Sequence, residues 1–303
     1  MRNHSCTESD AVSKTLLRLS RLAHHPARVM GFSTWLRVMV GIWLLANVAA
    51  LSADSGALPE GRKVRIVLVG DSTVTDKSGW GFGFKQFLTD RAECTNTAAN
   101  GRSSRSFIKE GKWEKALALK GDYYLIQFGH NDEPGKGPDR ETDPHTTYRE
   151  FMARYVDDAR AIGAKPILVT SLTRRIFDKS GNGKIVSTLT PYVEEVRKLA
   201  AEKHVPLVDL YARSVELCEK LGPEACLAFS PPKTTNQVSN AAGTNRVDNP
   251  GANQWDTTHL NATGSVVFAR LVVEELVHAA PELAPCLRSG PAAGASPVRT
   301  FAP

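Results

Sequence analysis

Beyond residue 60, short continuous apolar runs alternate with longer segments that have helical periodicity. Continuous apolar runs are typical of strands that are covered on both faces, because side chains on either side of such a strand meet the core. Residues 64–69, 93–97, 123–128, 166–170 and 206–210 are therefore the predicted strands.

Between and after these runs, apolar residues recur every three to four positions, which predicts helices. The helical segments cover residues 148–162 and 189–199, and a last helix runs through 265–279 with Asn261 or Thr263 as its N-cap. Strands that alternate with helices predict a parallel sheet with right-handed crossovers. The expected fold class is α/β: one three-layer α/β/α domain around a mostly parallel, five-stranded sheet.

Polar clusters follow two of the predicted strands, where ligands bind in such sheets. Gly70, Asp71 and Ser72 follow the first strand, and residues 129–132 (GHND) follow the third. Both clusters are expected on one rim of the sheet, with residues 230–254 forming a wall of the site.

The positive charge of the chain is concentrated at its N-terminus. The formal net charge is +6, yet residues 1–50 hold six Lys or Arg against two acids, which leaves 32 bases and 30 acids beyond. A near-neutral remainder without a basic run does not favour a nucleic-acid partner.

The segment 1–50 is predicted to be a secretion signal. An arginine precedes the apolar stretch VMVGIWLLANVAAL, which small residues follow, and translation starting at Met30 would give a signal peptide of ordinary proportions. About 14 apolar residues are too few for a helix that spans a bilayer. We expect a secreted or periplasmic protein with no stable membrane association beyond this peptide, a hydrolase domain at 61–288 and a disordered tail at 289–303.

Four cysteines follow the leader, an even number that is compatible with an oxidising compartment. Cys218 and Cys226 flank the turn-like sequence LGPEA and are spaced for a small disulfide loop, whereas a Cys94–Cys286 pair is less well supported. No C-x-x-C pair or neighbouring histidine indicates a zinc site.

A catalytic role for Ser72 requires a base, since a serine hydroxyl is nearly unreactive alone. His259 has Asp256 three residues before it, directly ahead of a predicted helix, so the carboxylate can orient the imidazole. The other histidines of the mature chain have no aspartate three residues before them: His130, His145, His204 and His278.

An acyl-transfer site also needs donors for the developing oxyanion, each worth about 2.7–4 kcal/mol. The Ser72 amide, the Gly101 amide and the Asn131 side chain are the candidates for this oxyanion hole. Gly101 lacks a Cβ and allows a substrate to approach its backbone closely.

Four ordered blocks resemble the SGNH (GDSL-type) hydrolase superfamily: GDST at 70–73, NGRSSRSF at 100–107, FGHND at 128–132 and DTTHLN at 256–261. The residues that name the superfamily would be Ser72, Gly101, Asn131 and His259. Longer stretches, including TDPHTTYREFMARYVDDARAIGAKPILVTSLTRR, resemble its rhamnogalacturonan acetylesterase branch, carbohydrate esterase family twelve.

This resemblance implies a flavodoxin-like sheet, a triad of Ser72, His259 and Asp256, and no metal or other cofactor. It also implies removal of acetyl groups from pectic polysaccharide or its oligosaccharides, by a protein that we expect to be a monomer. Residues 235–254 depart from the family pattern, which leaves xylan, other acetylated sugars and small acyl esters open as substrates.

Two other function classes have weaker support in the sequence than the esterase. GD and GHND echo a metallophosphoesterase, but its early D-x-H motif is missing, and a carbohydrate-binding module would need clustered aromatic residues in the loops. Four arginines are candidates for binding galacturonate carboxylates, because a guanidinium fork matches a carboxylate: Arg102, Arg105, Arg174 and Arg175.

Overall fold

Five parallel strands form the central sheet of the structure, a computed structural model that describes residues 58–233 and 254–291. The strand order is β2-β1-β3-β4-β5, with β1 pairing in register with both β2 and β3. This is the order of flavodoxin-like sheets, and it confirms the predicted fold class. The strands are β1 (Val64–Gly70), β2 (Ala92–Asn96), β3 (Tyr123–Gln127), β4 (Lys165–Val169) and β5 (Leu207–Val208).

Successive side chains of a strand point to opposite sides of the sheet. Both faces of this sheet are therefore apolar, and helices cover both. Leu68 of β1 packs into a core with Trp80 and Phe268, whereas its neighbour Val69 packs into a second core with Trp113. The helices are α1 (Gly81–Gln86), α2 (Ser104–Lys109), α3 (Lys112–Leu117), α4 (Arg149–Ala161), α5 (Thr190–Lys203), α6 (Leu210–Cys226) and α7 (Ala262–Ala279). Helices α1, α6 and α7 lie on the first face, and α2 to α5 lie on the second.

The predicted elements differ from the observed ones mainly at their ends. Strand β5 is only two residues long, because the Asp209 side chain accepts a hydrogen bond from the Ala212 amide and starts α6. The last helix begins at Ala262, and Asn261 is its cap: its side chain accepts from the Gly264 amide and donates to the carbonyl of Ala228. The side-chain amide of Asn261 is therefore occupied within the fold, which confirms the predicted N-cap.

The disulfide between Cys218 and Cys226 is not formed in the structure. Both are buried free thiols on α6, and the Cys226 thiol lies 3.7 Å from the Cys218 carbonyl oxygen. Cys94 and Cys286 are also free. The LGPEA segment between them contains a kink at Gly222, which has non-helical dihedral angles and is followed by Pro223, and this kink brings the two thiols close without joining them.

Several sequence predictions fall outside the described residues. These are the signal segment 1–50, most of the predicted wall at 230–254 and most of the tail at 289–303. Across the two described ranges, none of the helices has the length and apolar character needed to cross a bilayer.

Candidate functional site

Ser72 lies where the chain leaves β1, in a tight loop that glycine makes possible. A Cβ at Gly70 would come within 2.6 Å of the Gln127 carbonyl oxygen, so only glycine lets β1 end against β3. Ser72 is 8% exposed. Its carbonyl oxygen accepts hydrogen bonds from the hydroxyls of Thr75 and Ser78, which hold the loop from the other side.

Asp71 braces this loop from the interior. Its Oδ1 accepts from the Thr73 amide at 2.8 Å and the Thr73 hydroxyl at 2.7 Å, and that hydroxyl in turn accepts from Gln127. Its Oδ2 lies 3.5 Å from Nδ1 of the buried His130, longer than an ordinary hydrogen bond. Burial opposes ionisation of Asp71, but His130 and the Thr73 donors outweigh it and lower the pKa of the carboxyl.

The turn before α7 brings Asp256 and His259 together against Ser72. Nε2 of His259 lies 2.8 Å from the Ser72 hydroxyl, and Nδ1 lies 2.7 Å from Oδ2 of Asp256. With a carboxylate at Nδ1, the proton of the neutral ring resides on Nδ1 and Nε2 is free to accept from Ser72. The three side chains form one hydrogen-bonded chain across 187 residues of sequence.

Asp256 is held in its ionised form. Burial raises the pKa of this carboxyl, but the His259 ring and the amides of Thr258 and His259 outweigh burial and bring it well below its usual range. Oδ1 accepts from these amides at 2.8 and 3.0 Å, which leaves Oδ2 for the imidazole.

Three candidate oxyanion donors lie on the loops after β1, β2 and β3. The Asn131 side chain donates to the Arg102 carbonyl oxygen at 3.2 Å, and a carboxamide nitrogen has a second hydrogen to offer. No hydrogen bond from the amides of Ser72 or Gly101 is found within the described residues. Gly101 has φ +73°, which favours glycine, and the space beside its Cα is open.

Asp132 ties two of these loops together, which sequence reasoning missed. It is fully buried and accepts from the amide and hydroxyl of Ser104, the first residue of α2, and from the Thr142 hydroxyl. Burial raises the pKa of the Asp132 carboxyl to about 7 in spite of these donors. The only sequence signal was its position beside Asn131.

Two of the four predicted carboxylate-binding arginines are internal, which corrects the prediction for them. Arg174 is 7% exposed and pairs with Glu133, and Arg175 is 3% exposed and bonds backbone carbonyls. Sequence reasoning treated strand-end arginines as surface residues, but both serve buried polar groups of the loops. Arg102 and Arg105 are partly exposed, with Arg102 paired to Glu110 and Arg105 donating to the Pro138 carbonyl.

Arg140 is a further basic residue beside the site. A Cβ built on Gly101 would have only Arg140 Nη1 within 4 Å, at 3.9 Å. Its Nε donates to the Lys136 carbonyl oxygen, and within the described residues no carboxylate pairs with its guanidinium. Arg140 belongs to the loop 133–144, in which Glu133 and Thr142 are buried and the Thr142 hydroxyl donates to Asp132 beside the site.

The remaining histidines lie elsewhere. His145 is 61% exposed and contacts Glu195, and His204 ends α5 in a left-handed conformation. In the part of the chain that the structure describes, no group of three or more His, Cys, Asp or Glu side chains is arranged to hold a metal ion.

Comparison with known proteins finds one matching family and several relatives. The family model for GDSL-like lipase/acylhydrolase matches residues 66–272. The rhamnogalacturonan acetylesterase RhgT of Bacillus subtilis is 36% identical over 227 residues, or 70% of this chain and 89% of the relative. The probable rhamnogalacturonan acetylesterase YesY of the same organism is 34% identical over 172 residues, or 54% of this chain and 78% of the relative.

A solved structure agrees with the fold. The YxiM protein of Bacillus subtilis superposes with a TM-score of 0.56 at 26% identity, over 71% of this chain. The match spans 56% of the solved chain.

Proposed function

Since the chain belongs to the GDSL-like lipase/acylhydrolase family and is a carboxylic ester hydrolase, we propose that it is a serine esterase. Its proposed reaction is the removal of O-acetyl groups from pectic polysaccharide, with rhamnogalacturonan as the preferred substrate. The observation that carries the catalytic part is the hydrogen-bonded chain from Asp256 through His259 to Ser72, at 2.7 and 2.8 Å. These distances are those expected between an orienting acid, a base and a nucleophile.

In the first half-reaction, Ser72 Oγ attacks the acetyl carbonyl carbon while His259 Nε2 takes its proton. Asp256 holds the ring and stabilises the imidazolium through Nδ1–H. The oxyanion accepts hydrogen bonds from the Ser72 amide, the Gly101 amide and the Asn131 side chain. His259 then gives its proton to the sugar oxygen as the carbon–oxygen bond breaks, which leaves an acetyl group on Ser72.

In the second half-reaction, water attacks the acetyl-enzyme. His259 takes a proton from the water, the same three donors hold the second oxyanion, and Ser72 leaves with the proton returned by His259. Acetate and free enzyme result. A metal or cofactor has no step in this proposal.

Two relatives and the arginines beside the site support the proposed substrate class. RhgT and YesY are named as rhamnogalacturonan acetylesterase and probable rhamnogalacturonan acetylesterase. Rhamnogalacturonan contains galacturonate. Arg102 follows Gly101 in its loop, Arg140 lies beside Gly101, and Arg105 donates to Pro138 of the loop that carries Arg140. The Arg140 guanidinium has no carboxylate partner among the described residues, and a guanidinium can bind a carboxylate through two parallel hydrogen bonds.

The proposal extends to location. The basic, then apolar, then small-residue order of segment 1–50 supports export, so that the enzyme meets cell-wall polysaccharide outside the cytoplasm. Cell fractionation of the full chain and N-terminal sequencing of the mature protein test this part separately from catalysis.

The test of the function is acetate release from a panel of substrates by the wild type, Ser72→Ala and Ser180→Ala. The panel contains acetylated rhamnogalacturonan, acetylated xylan and an aryl acetate. We expect the wild type and the exposed-serine control Ser180→Ala to prefer rhamnogalacturonan, and Ser72→Ala to lose at least about 10⁴-fold in kcat. Cleavage of the aryl acetate alone would refute the pectin assignment while keeping the serine esterase.

Two further treatments separate the other function classes. A metallophosphoesterase would lose activity on exhaustive chelation and would survive a serine-directed phosphonate, whereas we expect the reverse. A non-catalytic carbohydrate-binding module would release no acetate from any member of the panel.

A further inference from the structure

The Asp256–His259 turn is bonded by a buried arginine that the proposed chemistry does not use. Arg175 lies after β4, and its amide donates to the Thr257 carbonyl oxygen at 2.9 Å. Its Nη2 donates to the carbonyl oxygens of Asp256 at 2.9 Å and His259 at 2.5 Å. One residue thus contacts three of the four residues of the turn.

The Asp256–His259 turn needs hydrogen-bond donors from outside, because it has no regular secondary structure that would supply them. It follows Trp255, which forms an isolated bridge with Pro232, and it precedes α7 without regular secondary structure of its own. Its own backbone amides at 258 and 259 are used by the Asp256 carboxylate. Buried carbonyls require donors, and Arg175 supplies them for both triad residues from one nitrogen.

The guanidinium is itself fixed in place. Its Nε donates to the Ser230 hydroxyl at 3.1 Å, which orients the planar group, and the side chain is 3% exposed. Its described hydrogen-bond partners are carbonyl and hydroxyl oxygens, with no carboxylate among them. Burying a charge without an ion-pair partner costs free energy of desolvation. The presence of an arginine here is therefore better explained by the hydrogen bonds that it donates than by the space that it fills.

We infer that Arg175 is a positioning residue for catalysis, which holds the Asp256 and His259 backbone so that the imidazole faces Ser72. This inference rests on the proposed triad. Arginine suits the task better than lysine, because its rigid planar fork fixes several donors at once, whereas an ammonium is a flexible point donor. A displacement of His259 by about 1 Å is enough to cost about 10²-fold in rate.

The experiment compares Arg175→Met, Arg175→Lys and Ser230→Ala with the wild type on the aryl acetate. That substrate reports on the triad without requiring a polysaccharide. We expect Arg175→Met to lose about 10²-fold in kcat with KM within about threefold, and Arg175→Lys to recover part of the loss. Ser230→Ala leaves Arg175 present but releases its orientation, and we expect a smaller loss of kcat of the same kind.

Two controls separate positioning from general loss of stability. Val272→Ala creates a cavity under α7, and Arg213→Met removes an arginine of α6 that pairs with Glu274 and Glu275 of α7. Each should lower the melting temperature while kcat per folded molecule stays near that of the wild type. A second readout is the downfield Nδ1 proton resonance of the Asp256–His259 hydrogen bond, which should be lost or broadened in Arg175→Met.

The outcomes are distinct from those of the proposed function. If the wild type cleaves the aryl acetate and Arg175→Met retains its kcat, the positioning role is wrong and the esterase stands. A rise in KM at constant kcat would instead assign Arg175 to substrate binding and overturn the inference. If Arg175→Met does not fold, Arg175→Lys and Ser230→Ala decide, since both keep a buried donor or the arginine itself.

Discussion

Asp132 accepts two hydrogen bonds from Ser104 at the same carboxylate oxygen, one from the backbone amide at 3.1 Å and one from the hydroxyl at 2.5 Å. Ser104 begins α2, just after the Gly101 loop, and Asp132 follows Asn131. These bonds link the loop that bears Gly101 to the loop that bears Asn131, as does the hydrogen bond from Asn131 to the Arg102 carbonyl oxygen. The proposed oxyanion hole is therefore assembled by contacts between two loops.

The first prediction concerns the pH dependence of stability. Burial raises the pKa of Asp132 from 3.8 to about 7, so the folded state binds a proton that the unfolded state releases between these values. The contribution of Asp132 to the free energy of unfolding is fully present below about pH 4 and falls as pH rises to about 7. The free energy of unfolding of the wild type minus that of Asp132→Asn should decrease over this window by up to a few kcal/mol, at about 1.4 kcal/mol per pKa unit.

Urea denaturation at several pH values between about 4 and 8 measures this difference. Asp139→Asn, an exposed substitution in the neighbouring loop, is the matched control for replacing a carboxylate by an amide. A difference that increases with pH would contradict the prediction and would mean that the Ser104 and Thr142 donors, rather than burial, dominate the Asp132 carboxyl.

The second prediction concerns the Asn131 side chain. Asn131→Ala removes one oxyanion donor, and we expect kcat to fall by about 10²–10³-fold with little change in KM, since the donor acts in the transition state. Asn182→Ala removes an exposed carboxamide in another loop and should leave kcat unchanged. Thermal unfolding of both variants checks that loss of the Asn131–Arg102 contact does not destabilise the protein. A rise in KM with kcat unchanged would contradict the oxyanion role.

The third prediction concerns Asp256. Although burial opposes its ionisation, the His259 ring and two amides bring the pKa of Asp256 well below its ordinary value, so the carboxylate orients the imidazole throughout the neutral range. Asp256→Asn should lower kcat by about 10⁴-fold, because an amide no longer selects the required tautomer. Asp178→Asn changes an exposed carboxylate and should have wild-type activity.

Stability gives a second measure of the same residue. A lowered pKa contributes stability that is present above the unfolded pKa of 3.8 and is lost as pH falls below it. The stability difference between the wild type and Asp256→Asn should therefore be constant from about pH 5 to 8 and should shrink at lower pH. A constant difference down to about pH 2 would contradict the ionised, hydrogen-bonded state of this carboxyl.

Much of this architecture is predictable from sequence, because apolar runs and helical spacing are local patterns. The alternation of strands and helices implies parallel pairing, and parallel pairing places Ser72 and Asn131 on one rim. The strand order and the short β5 are different, since they depend on packing between distant segments and on the competing cap at Asp209. Asp256 and His259 were predictable as a pair because they are three residues apart in sequence, directly ahead of a helix.

The basic residues of the rim show where sequence reasoning ends. Arg174 and Arg175 follow a strand just as surface residues do, and nothing in the local pattern reveals that both are buried against Glu133 and the Asp256–His259 turn. Arg140 was missed for the opposite reason. It belongs to a loop far along the chain from Gly101, and only the fold brings the two together.

The last prediction separates substrate recognition from chemistry at Arg140. Arg140→Met should reduce kcat/KM on acetylated rhamnogalacturonan by about five- to tenfold through KM, as expected for one partly exposed ionic contact of about 1 kcal/mol. The effect should shrink at high salt, because exposed charges are screened. Activity on acetylated xylan and the aryl acetate should not change, since neither presents a galacturonate carboxylate. Arg154→Met, which removes an exposed arginine paired with Asp158 on α4, is the control. An equal loss on all three substrates would show that Arg140 supports the Gly101 loop and does not select an acidic sugar.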